Sequence, residues 1–438
     1  MKNFAIASLM IGLVLAGLPA GGKSEAPAAQ PAGKPFAGKT ITLLMHPTLY
    51  GTTGGKEGIV AEFEKETGAT VRVVTAPIPE HSEKAMLDFT SGKGAYDIIN
   101  MQNSDMTKEF SQFLLPLDSY IAGAGAEWDY KDIFPALSEF AKVDGKQLGI
   151  GYRWVPVIMY FRKDLLEKAG VSVPKTYTEL PAIAKKLTQD TNNDGKLDVY
   201  GYVQRGKAPD EIAHDWLTTF YGHGGVYLKP DGTSGLNSPA GVQAAKFWKQ
   251  LLDEKIFPPD VFAWGRDDYV GAMQQGRVAI GGYVGSYYGQ FFGKDSKLSK
   301  DQIGWAPMPA EPGAKQGVNR AGGWFLVINK ASKNPDAAWA LVKTLTSKEN
   351  QLREAVQWAN GPIRASVFQA ESFKKIWPQA DALQAAMANV VADPAIAAQP
   401  KILEIIGQEV TAVMQGAKSA EKAMADAENR ANQALKGF

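Results

Sequence analysis

Residues 40–75 read TITLLMHPTLYGTTGGKEGIVAEFEKETGATVRVVT, a stretch in which a helical pattern separates two β-type runs. Both runs, TITLLM and TVRVVT, are rich in β-branched residues. Between them Ile59 and Phe63 recur at helical spacing, and Gly68 is a suitable helix end. A third run, YDIIN at 96–100, follows another helical segment. Strands that alternate with helices predict an α/β fold with a mostly parallel sheet covered on both faces.

Length and composition place the chain among large globular proteins. At about 150 residues per domain, 438 residues predict two or three domains. Lys and Arg total 47 against 46 Asp and Glu, and this near-neutral balance argues against nucleic-acid binding. Cysteine is absent from the sequence, which excludes disulfides, zinc thiolate sites, iron–sulfur clusters and a cysteine nucleophile.

The N-terminus has the organisation of an export signal. Lys2 precedes an apolar run from Phe4 to Leu18 that ends in small residues, which predicts a secretory signal peptide over residues 1–22. Residues 23–38 are mostly Ala, Pro and Gly and predict a flexible linker. We therefore expect a periplasmic or extracellular protein. Since the leader has no cysteine for a lipid anchor, release and membrane tethering both stay open.

A long extended run lies within residues 145–170, GKQLGIGYRWVPVIMYFRKDLLEKAG, and a helix follows it from Lys163. Proline cannot donate to a sheet ladder, so Pro156 favours an edge strand or a crossing between lobes over a central strand.

Four turns place aromatic residues beside glycine, which predicts a cleft lined with aromatic rings, although each turn alone could be core packing. They are FYGHGGVY (220–227), WGRDDY (264–269), GGYVGSYYGQFFG (281–293) and AGGWF (321–325).

Catalytic motifs are not evident in the sequence. GTTGGKE at 51–57 resembles a phosphate loop superficially, but no Ser or Thr follows Lys56. The sequence contains no HExxH, no G-x-S-x-G and no G-x-G-x-x-G that opens a helix. The four histidines are scattered along the chain and do not predict a metal site.

One segment, DTNNDGKLD at 190–198, matches the first nine positions of a calcium loop. The predicted metal ligands are Asp190, Asn192, Asp194, the Lys196 carbonyl and Asp198. The glutamate expected at position 12 is replaced by Gly201. A structural Ca²⁺ ion is therefore the one predicted cofactor, and none is required. The alternative is an Asx-rich turn without metal.

Residues 321–351, AGGWFLVINKASKNPDAAWALVKTLTSKENQ, resemble the signature of family 1 extracellular solute-binding proteins. These are carbohydrate receptors of ABC importers, such as the maltose- and trehalose-binding proteins. Three further segments fall where that family has its strand-and-loop, crossing and hinge motifs, and the similarity extends from about residue 40 to the C-terminus. They are GAYDIINMQNSDMTKEFSQFLLPLD (94–118), YFRKDLLEKAGV (160–171) and GPIRASV (361–367).

The resemblance implies a two-lobe periplasmic-binding-protein fold, type II-like, with a ligand cleft between two α/β lobes. Each lobe is expected to contain a mostly parallel sheet flanked by helices. The N-terminal lobe would span 39–152 plus 327–363, and the C-terminal lobe 153–326 plus 364–438. The implied crossings between the lobes are 151–155, 323–327 and 360–365.

The resemblance also implies a function: a monomeric, non-enzymatic receptor that binds a di- or oligosaccharide and delivers it to a membrane permease. A pyranose has an apolar face that stacks on aromatic rings and hydroxyls that bind charged and amide groups. We expect Asp105 and Arg364 to bind hydroxyls, and Trp154 and Trp324 to be stacking platforms. The full predicted ligand set is His46, Tyr50, Asn103, Asp105, Trp154, Asp215, Trp216, Tyr283, Gly323, Trp324 and Arg364.

Two alternatives share the aromatic cleft. A secreted glycoside hydrolase would also need an acid of raised pKa and a second carboxylate about 5–10 Å away. A sugar-binding surface sensor or adhesin would bind the same ligands without a permease.

Overall fold

The computed structural model describes residues 33–314 and 319–437, so the predicted signal peptide lies outside the described residues. The strands are β1 Thr40–Met45, β2 Thr70–Thr75, β3 Ile98–Gln102, β4 Lys142–Val143, β5 Lys146–Gln147, β6 Ile150–Arg162, β7 Ile280–Val284, β8 Ile303–Pro307, β9 Asn319–Ile328 and β10 Val390–Val391.

The α-helices in the first half of the chain are α1 Pro47–Gly51, α2 Ile59–Thr67, α3 Glu80–Ser91, α4 Lys108–Ser111, α5 Asp118–Ala122, α6 Pro135–Phe140, α7 Lys163–Ala169, α8 Leu180–Leu187 and α9 Asp210–Gly222. Those in the second half are α10 Pro239–Asp253, α11 Arg266–Gln274, α12 Pro335–Leu345, α13 Lys348–Trp358, α14 Ala365–Gln369, α15 Glu371–Ile376, α16 Ala380–Ala388, α17 Gln399–Met414 and α18 Ala420–Lys436. Over the described ranges, no helix is both long and apolar enough to cross a membrane.

The first lobe forms around β1, which pairs in parallel with β2 on one side and β3 on the other. Helix α2 connects β1 to β2 and buries Ile59 and Phe63. It ends at Gly68, whose φ of 74° lies in the left-handed region that favours glycine. The predicted α/β fold class is confirmed.

Strand β6 passes from one lobe to the other. Its residues 150–156 pair antiparallel with β9, and residues 157–162 pair antiparallel with β7 and β8. Pro156 is the last residue paired with β9, so the proline lies where the strand changes partner, in agreement with the predicted crossing.

Strand β9 makes the second connection. It pairs with β10 at its start, with β6 over residues 321–326 and with β3 over residues 324–328. A third segment runs beside β6, because the Trp154 N–H donates to the Gly361 carbonyl at 3.2 Å. The predicted lobe boundaries fall inside β6, inside β9 and just before α14, and they stay a prediction.

Two hydrophobic cores underlie the two lobes. One contains β1, β3 and the buried side of α12, and the other packs α9 and α10 against α17 and α18. In the second lobe β7 and β8 pair antiparallel with β6, and the parallel pairings are single bridges such as Tyr200 with Val278. The sheet is therefore mixed, with its parallel ladder concentrated in the first lobe.

The folded body begins before residue 39. The Phe36 N–H donates to the Thr67 carbonyl at 2.9 Å, and the Phe36 ring packs against the first core. The last residues of the predicted 23–38 linker therefore belong to the fold at the end of α2.

Gly323 provides a test of the strand crossing. A Cβ at this position would lie 2.4 Å from the Trp154 ring and 2.5 Å from the Arg153 carbonyl oxygen. Gly323→Ala should therefore lower the free energy of unfolding by about 1–3 kcal/mol, measured by thermal unfolding. Gly322→Ala is the control, since its Cβ would lie 3.8 Å from the Asn103 Oδ1. Equal melting temperatures for the two variants would contradict this account.

Candidate functional site

A cavity of about 630 Å³ lies between the two lobes. The first lobe contributes the loop after β3, including Asn103 and Asp105, and the second contributes Asp210 and His214 at the start of α9. The crossing strand β9 contributes residues 320–322. The structure therefore brings two predicted site residues into a cleft that both lobes line.

Asn103 and Asp105 have different roles in this loop. The Asn103 Oδ1 accepts the Gly323 N–H at 3.1 Å and so fixes the loop to β9. Burial raises the pKa of Asp105 to about 6, although hydrogen bonds from the Gln102 backbone and the Ser104 hydroxyl oppose the shift. Among the described residues no Lys, Arg or His forms an ion pair with Asp105. Its carboxyl group is therefore available to hydrogen-bond a ligand.

Two arginines of this region are held by ion pairs, and one of them, Arg320, lines the cavity. Arg205 donates to Asp215 at 2.5 Å and also contacts Glu211, and both acids are on α9. Arg320 of β9 donates to Asp393 at 3.0 Å. Burial alone would raise the pKa of Asp393, but the charge and hydrogen bonds of Arg320 lower it. The predicted residue Asp215 is therefore buried and bound to Arg205, and it does not face the cleft.

His214 and Asp210 extend the second of these ion pairs. The His214 Nδ1 lies 2.6 Å from Arg320, and its Nε2 lies 3.3 Å from Asp210. The hydrogen bond from His214 lowers the pKa of Asp210, so this carboxylate is charged at neutral pH. The cleft therefore presents charged groups whose orientation is set before a ligand binds.

Trp324 is half-buried on the crossing strand, between two histidines. The His46 ring lies 5.5 Å from Trp324, and the His81 ring meets it edge-on at 6.1 Å. Burial lowers the pKa of His81 to about 4, and burial followed by the charge of Arg153 lowers the pKa of His46. Both rings are therefore neutral near pH 7.

The predicted ligand residue Tyr283 lies in a cluster of tyrosines on the second lobe. The Tyr283 ring lies 4.8 Å from both Tyr269 and Tyr287, and Arg205 lies over it at 5.0 Å. Burial raises the pKa of Tyr283 to about 12, so its hydroxyl stays protonated and can donate. Tyr283 is 3% exposed and Tyr269 is fully buried, so the predicted ligand residue Tyr283 belongs to the interior of the protein, and only Tyr287 of these three is half-buried.

The structure corrects the placement of Trp154. This side chain is 1% exposed and stacks on Phe140 at 5.2 Å, inside the first lobe. Neighbouring residues of a strand point to opposite faces. Arg153 is paired with Trp324, whereas Trp154 is paired with Gly323, so Arg153 shares the Trp324 face and Trp154 lies on the other.

Three further predicted residues also lie in the interior. Trp216 is fully buried and stacks on Phe220 at 5.2 Å. The fully buried Arg364 guanidinium donates to the carbonyl oxygens of Thr346 and Asp129 at 2.6 and 2.8 Å, and so ties loops of the protein together. Gly323 provides the space for Trp154. These residues support the site from within and do not face the cleft.

Tyr50 is half-buried near the end of α1, where burial raises its pKa. Four residues of this region were not predicted from the sequence: Arg153, Arg205, His214 and Arg320. Period-two alternation along β6 was the one signal that could have selected Arg153 instead of Trp154. The other three depend on partners from distant segments, as in the contact between Arg320 and Asp393.

The 190–198 loop has the hydrogen bonds of an Asx-rich turn. The Gly195 N–H donates to Asp190 at 2.8 Å, the Lys196 N–H donates to Asp194 at 2.8 Å, and Asp198 accepts from Thr191 at 2.6 Å. Within 33–314 and 319–437, no group of three His, Asp or Glu side chains is arranged to hold a metal ion. Calcium binding stays a prediction.

Comparison with known proteins assigns the family. The model of a family described as bacterial extracellular solute-binding protein matches residues 51–352. The chain belongs to this family. The resemblance found in the sequence is thereby confirmed, and the cleft is where a solute-binding protein of two lobes would hold its ligand.

Individual relatives agree with this assignment. A probable ABC transporter-binding protein of Deinococcus radiodurans is 30% identical over 363 residues, 81% of this solute-binding protein and 83% of the relative. The maltodextrin-binding protein MdxE of Bacillus subtilis is 28% identical over 361 residues, 77% and 74% of the two chains. An ABC transporter solute-binding protein of Agrobacterium radiobacter, solved in complex with ribitol, has 26% identity and a TM-score of 0.73, covering 92% of this chain and 100% of that one.

Asp105 gives a pH-dependent test of the cleft. Because burial raises its pKa in the folded protein to about 6, its contribution to stability is present below the unfolded pKa and is lost as the pH rises through 6. Asp105→Asn should therefore raise the free energy of unfolding at pH 7.5 by up to about 2 kcal/mol, and the gain should shrink towards pH 4.

Thermal unfolding across this pH range makes the measurement, and Asp295→Asn, at an exposed carboxyl, is the control. A gain that does not vary with pH would show that Asp105 is not the titrating group.

Proposed function

We propose that this solute-binding protein captures a carbohydrate, a di- or oligosaccharide, in the cleft between its lobes and delivers it to the permease of an ABC importer. The observation that carries the proposal is a cavity between the lobes that is lined by fixed polar groups, with Trp324 on the strand that forms part of its wall. Half-buried Trp324 lies on the same face of β9 as Arg320 and Gly322, which line the cavity, and it offers a ring face for the C–H side of a pyranose. Asp105 offers hydrogen bonds to hydroxyls.

The size of the cavity and the ligands named for two relatives support this ligand class. A cavity of about 630 Å³ lies within the range of small-molecule sites and would accept more than one sugar ring. The names of two relatives refer to maltodextrin and to ribitol, a polysaccharide fragment and a sugar alcohol. Both are rich in hydroxyls, which is the chemistry that the polar groups of this cleft would recognise.

We further propose that residues 1–22 direct export and that the protein acts as a monomer outside the cytoplasm. Delivery to a permease separates this proposal from a sensor or adhesin. Expression of this protein in a strain that lacks only its own receptor for the same sugar should restore uptake of that sugar. Binding without restored uptake would favour the sensor or adhesin.

The hydrolase alternative rests on one observation, the Asp105 carboxyl group whose pKa burial raises to about 6, as a general acid would require. We propose that the group binds hydroxyls and that no hydrolysis occurs. Chromogenic glycosides should therefore stay intact with the wild type. Turnover that Asp105→Asn abolishes would establish the enzyme instead.

The binding proposal is tested first by titration. Mono-, di- and oligosaccharides, polyols and amino acids are added to the leaderless protein while its melting temperature and Trp emission are recorded. A ligand at a hundred times its Kd should add about 2.7 kcal/mol to the free energy of unfolding. A response to amino acids alone, or to none of these compounds, would overturn the carbohydrate assignment.

Trp324→Ala should reduce the affinity for the sugar found in that titration by about 1–3 kcal/mol, since ring contact and exclusion of water are both lost. Calorimetric titration measures the change. Trp358→Ala is the matched control, because Trp358 is also half-buried but lies on α13, against Arg353. Unchanged affinity in Trp324→Ala would remove Trp324 from the site.

We also propose that the 190–198 loop binds Ca²⁺ through the predicted ligands. Asp194→Ala should then lower the melting temperature when calcium is present and much less when a chelator is present. Asp231→Ala is the control, since Asp231 accepts the Thr233 N–H at 2.9 Å in a similar turn outside the loop. Equal losses for Asp194→Ala with calcium and with chelator would identify a turn without metal.

A further inference from the structure

Glu354 of α13 is a buried acid surrounded by neutral groups. Its side chain is fully buried, with Oε1 at 3.2 Å from the Tyr152 hydroxyl and Oε2 at 2.7 Å from the Asn360 Nδ2. The Gln351 Nε2 also donates to Oε2, at 3.1 Å. No Lys, Arg or His of the described ranges forms an ion pair with it. Burying an ionised carboxylate without a cation is costly.

These contacts join segments that meet where the lobes connect. Tyr152 lies on β6, and Asn360 lies in the third crossing segment. The Gln351 Oε1 accepts the Ile363 N–H of that same segment at 3.1 Å. The Tyr152 hydroxyl also lies 3.2 Å from the Oγ1 of Thr52, the residue that ends α1. One buried network therefore connects α1, β6, α13 and the third crossing.

The number of hydroxyl protons available decides which group donates in each hydrogen bond of this network. The Thr52 hydroxyl has one proton, and it donates that proton to the Leu49 carbonyl at 2.8 Å. The bond between Thr52 and Tyr152 must therefore use the single proton of Tyr152. The contact between Tyr152 and Glu354 then lacks a proton unless the carboxyl group supplies it. An ionised Glu354 would draw the Tyr152 proton to itself and leave two oxygen lone pairs facing each other at Thr52.

We propose that Glu354 is protonated, a neutral carboxylic acid that donates to the Tyr152 hydroxyl. The Tyr152 proton then remains available for the hydrogen bond to Thr52. Glu354 is then a positioning residue that holds α1 against the crossing strands. Helix α1 begins after His46, whose ring lies 5.5 Å from Trp324, so the network determines where this edge of the region around Trp324 lies. The relevance of that edge to sugar binding rests on the proposed function, whereas the effect on α1 does not.

The surroundings of Glu354 contain few charges. On the same helix, Arg353 pairs with Glu62 of α2, and Glu349 is exposed. Trp377, the residue that ends α15, donates its indole N–H to the Ala355 carbonyl of α13. From β6, Tyr152 faces the carboxyl group, and the charge of the adjacent Arg153 acts on Tyr152.

Burial holds the pKa of Glu354 well above its usual range, and the hydrogen bonds that an ionised carboxylate would accept from Asn360 and Tyr152 oppose this shift only in part. A raised folded pKa means that the contribution to stability is present at low pH and is lost as the pH rises. The pH dependence of stability therefore reports on this proton.

Glu354→Gln tests the protonation. Its amide can donate to Tyr152 while its oxygen accepts from Asn360 and Gln351, which reproduces the pattern of the neutral acid. The melting temperature of the wild type should fall relative to Glu354→Gln as the pH rises from 5 to 8. The variant should also lose the uptake of one proton on folding. Glu349→Gln is the control at an exposed glutamate of α13. Parallel pH profiles, or equal destabilisation of Glu354→Gln at every pH, would overturn the proposal.

Hydrogen exchange without ligand tests the positioning of α1. Tyr152→Phe removes the link and should speed amide exchange at Thr52 and Thr53, whereas Glu354→Gln should leave it unchanged. Thr52→Val breaks the same link from its other end and Thr52→Ser retains it, so this pair decides the question if Tyr152→Phe fails to fold. Unchanged exchange in Thr52→Val would overturn the positioning role. Because no sugar is used, failure of the sugar proposal would leave these results intact.

Discussion

The close approach of Trp154 to Gly323 is the contact on which the two-lobe arrangement depends. A Cβ on Gly323 would lie 2.4 Å from the indole, so the pairing of β6 with β9 at this point requires glycine. That pairing lets two strands pass from one lobe to the other side by side. It also assigns their faces, because Trp154 turns into the core and its neighbour Arg153 turns with Trp324 to the cleft side.

The chemistry of the cleft follows from what these strands bring together. Arg320 comes from the start of β9, His214 from α9 and Asp393 from the segment before α17, and they form one hydrogen-bonded group. Opposite them, Asp105 is held at the end of β3 and forms no ion pair with any residue of the described ranges. The two sides of the cleft therefore differ chemically, with fixed ion pairs on one side and the Asp105 carboxyl group on the other.

Local sequence patterns predicted much of the fold. Alternation of β-branched runs with helical spacing predicted β1, α2 and β2, because these elements form from neighbouring residues. Pro156 marked the strand crossing because proline cannot donate to a ladder. Asn103 and Asp105 were identified because they directly follow β3, where strand ends meet the cleft. Trp216 and Arg364 were misplaced because residue type does not reveal which side of an element faces the core.

The sequence by itself determined the fold class and the family, since these depend on periodicity and on motifs contiguous in the chain. Only the tertiary structure decided which side chains face the cleft. A shift of one residue along a strand moves a side chain to the opposite face, as Arg153 and Trp154 illustrate. Likewise, the proton of Glu354 became apparent only when Tyr152, Thr52 and Asn360 were seen to meet, because their hydrogen bonds join segments far apart in the chain.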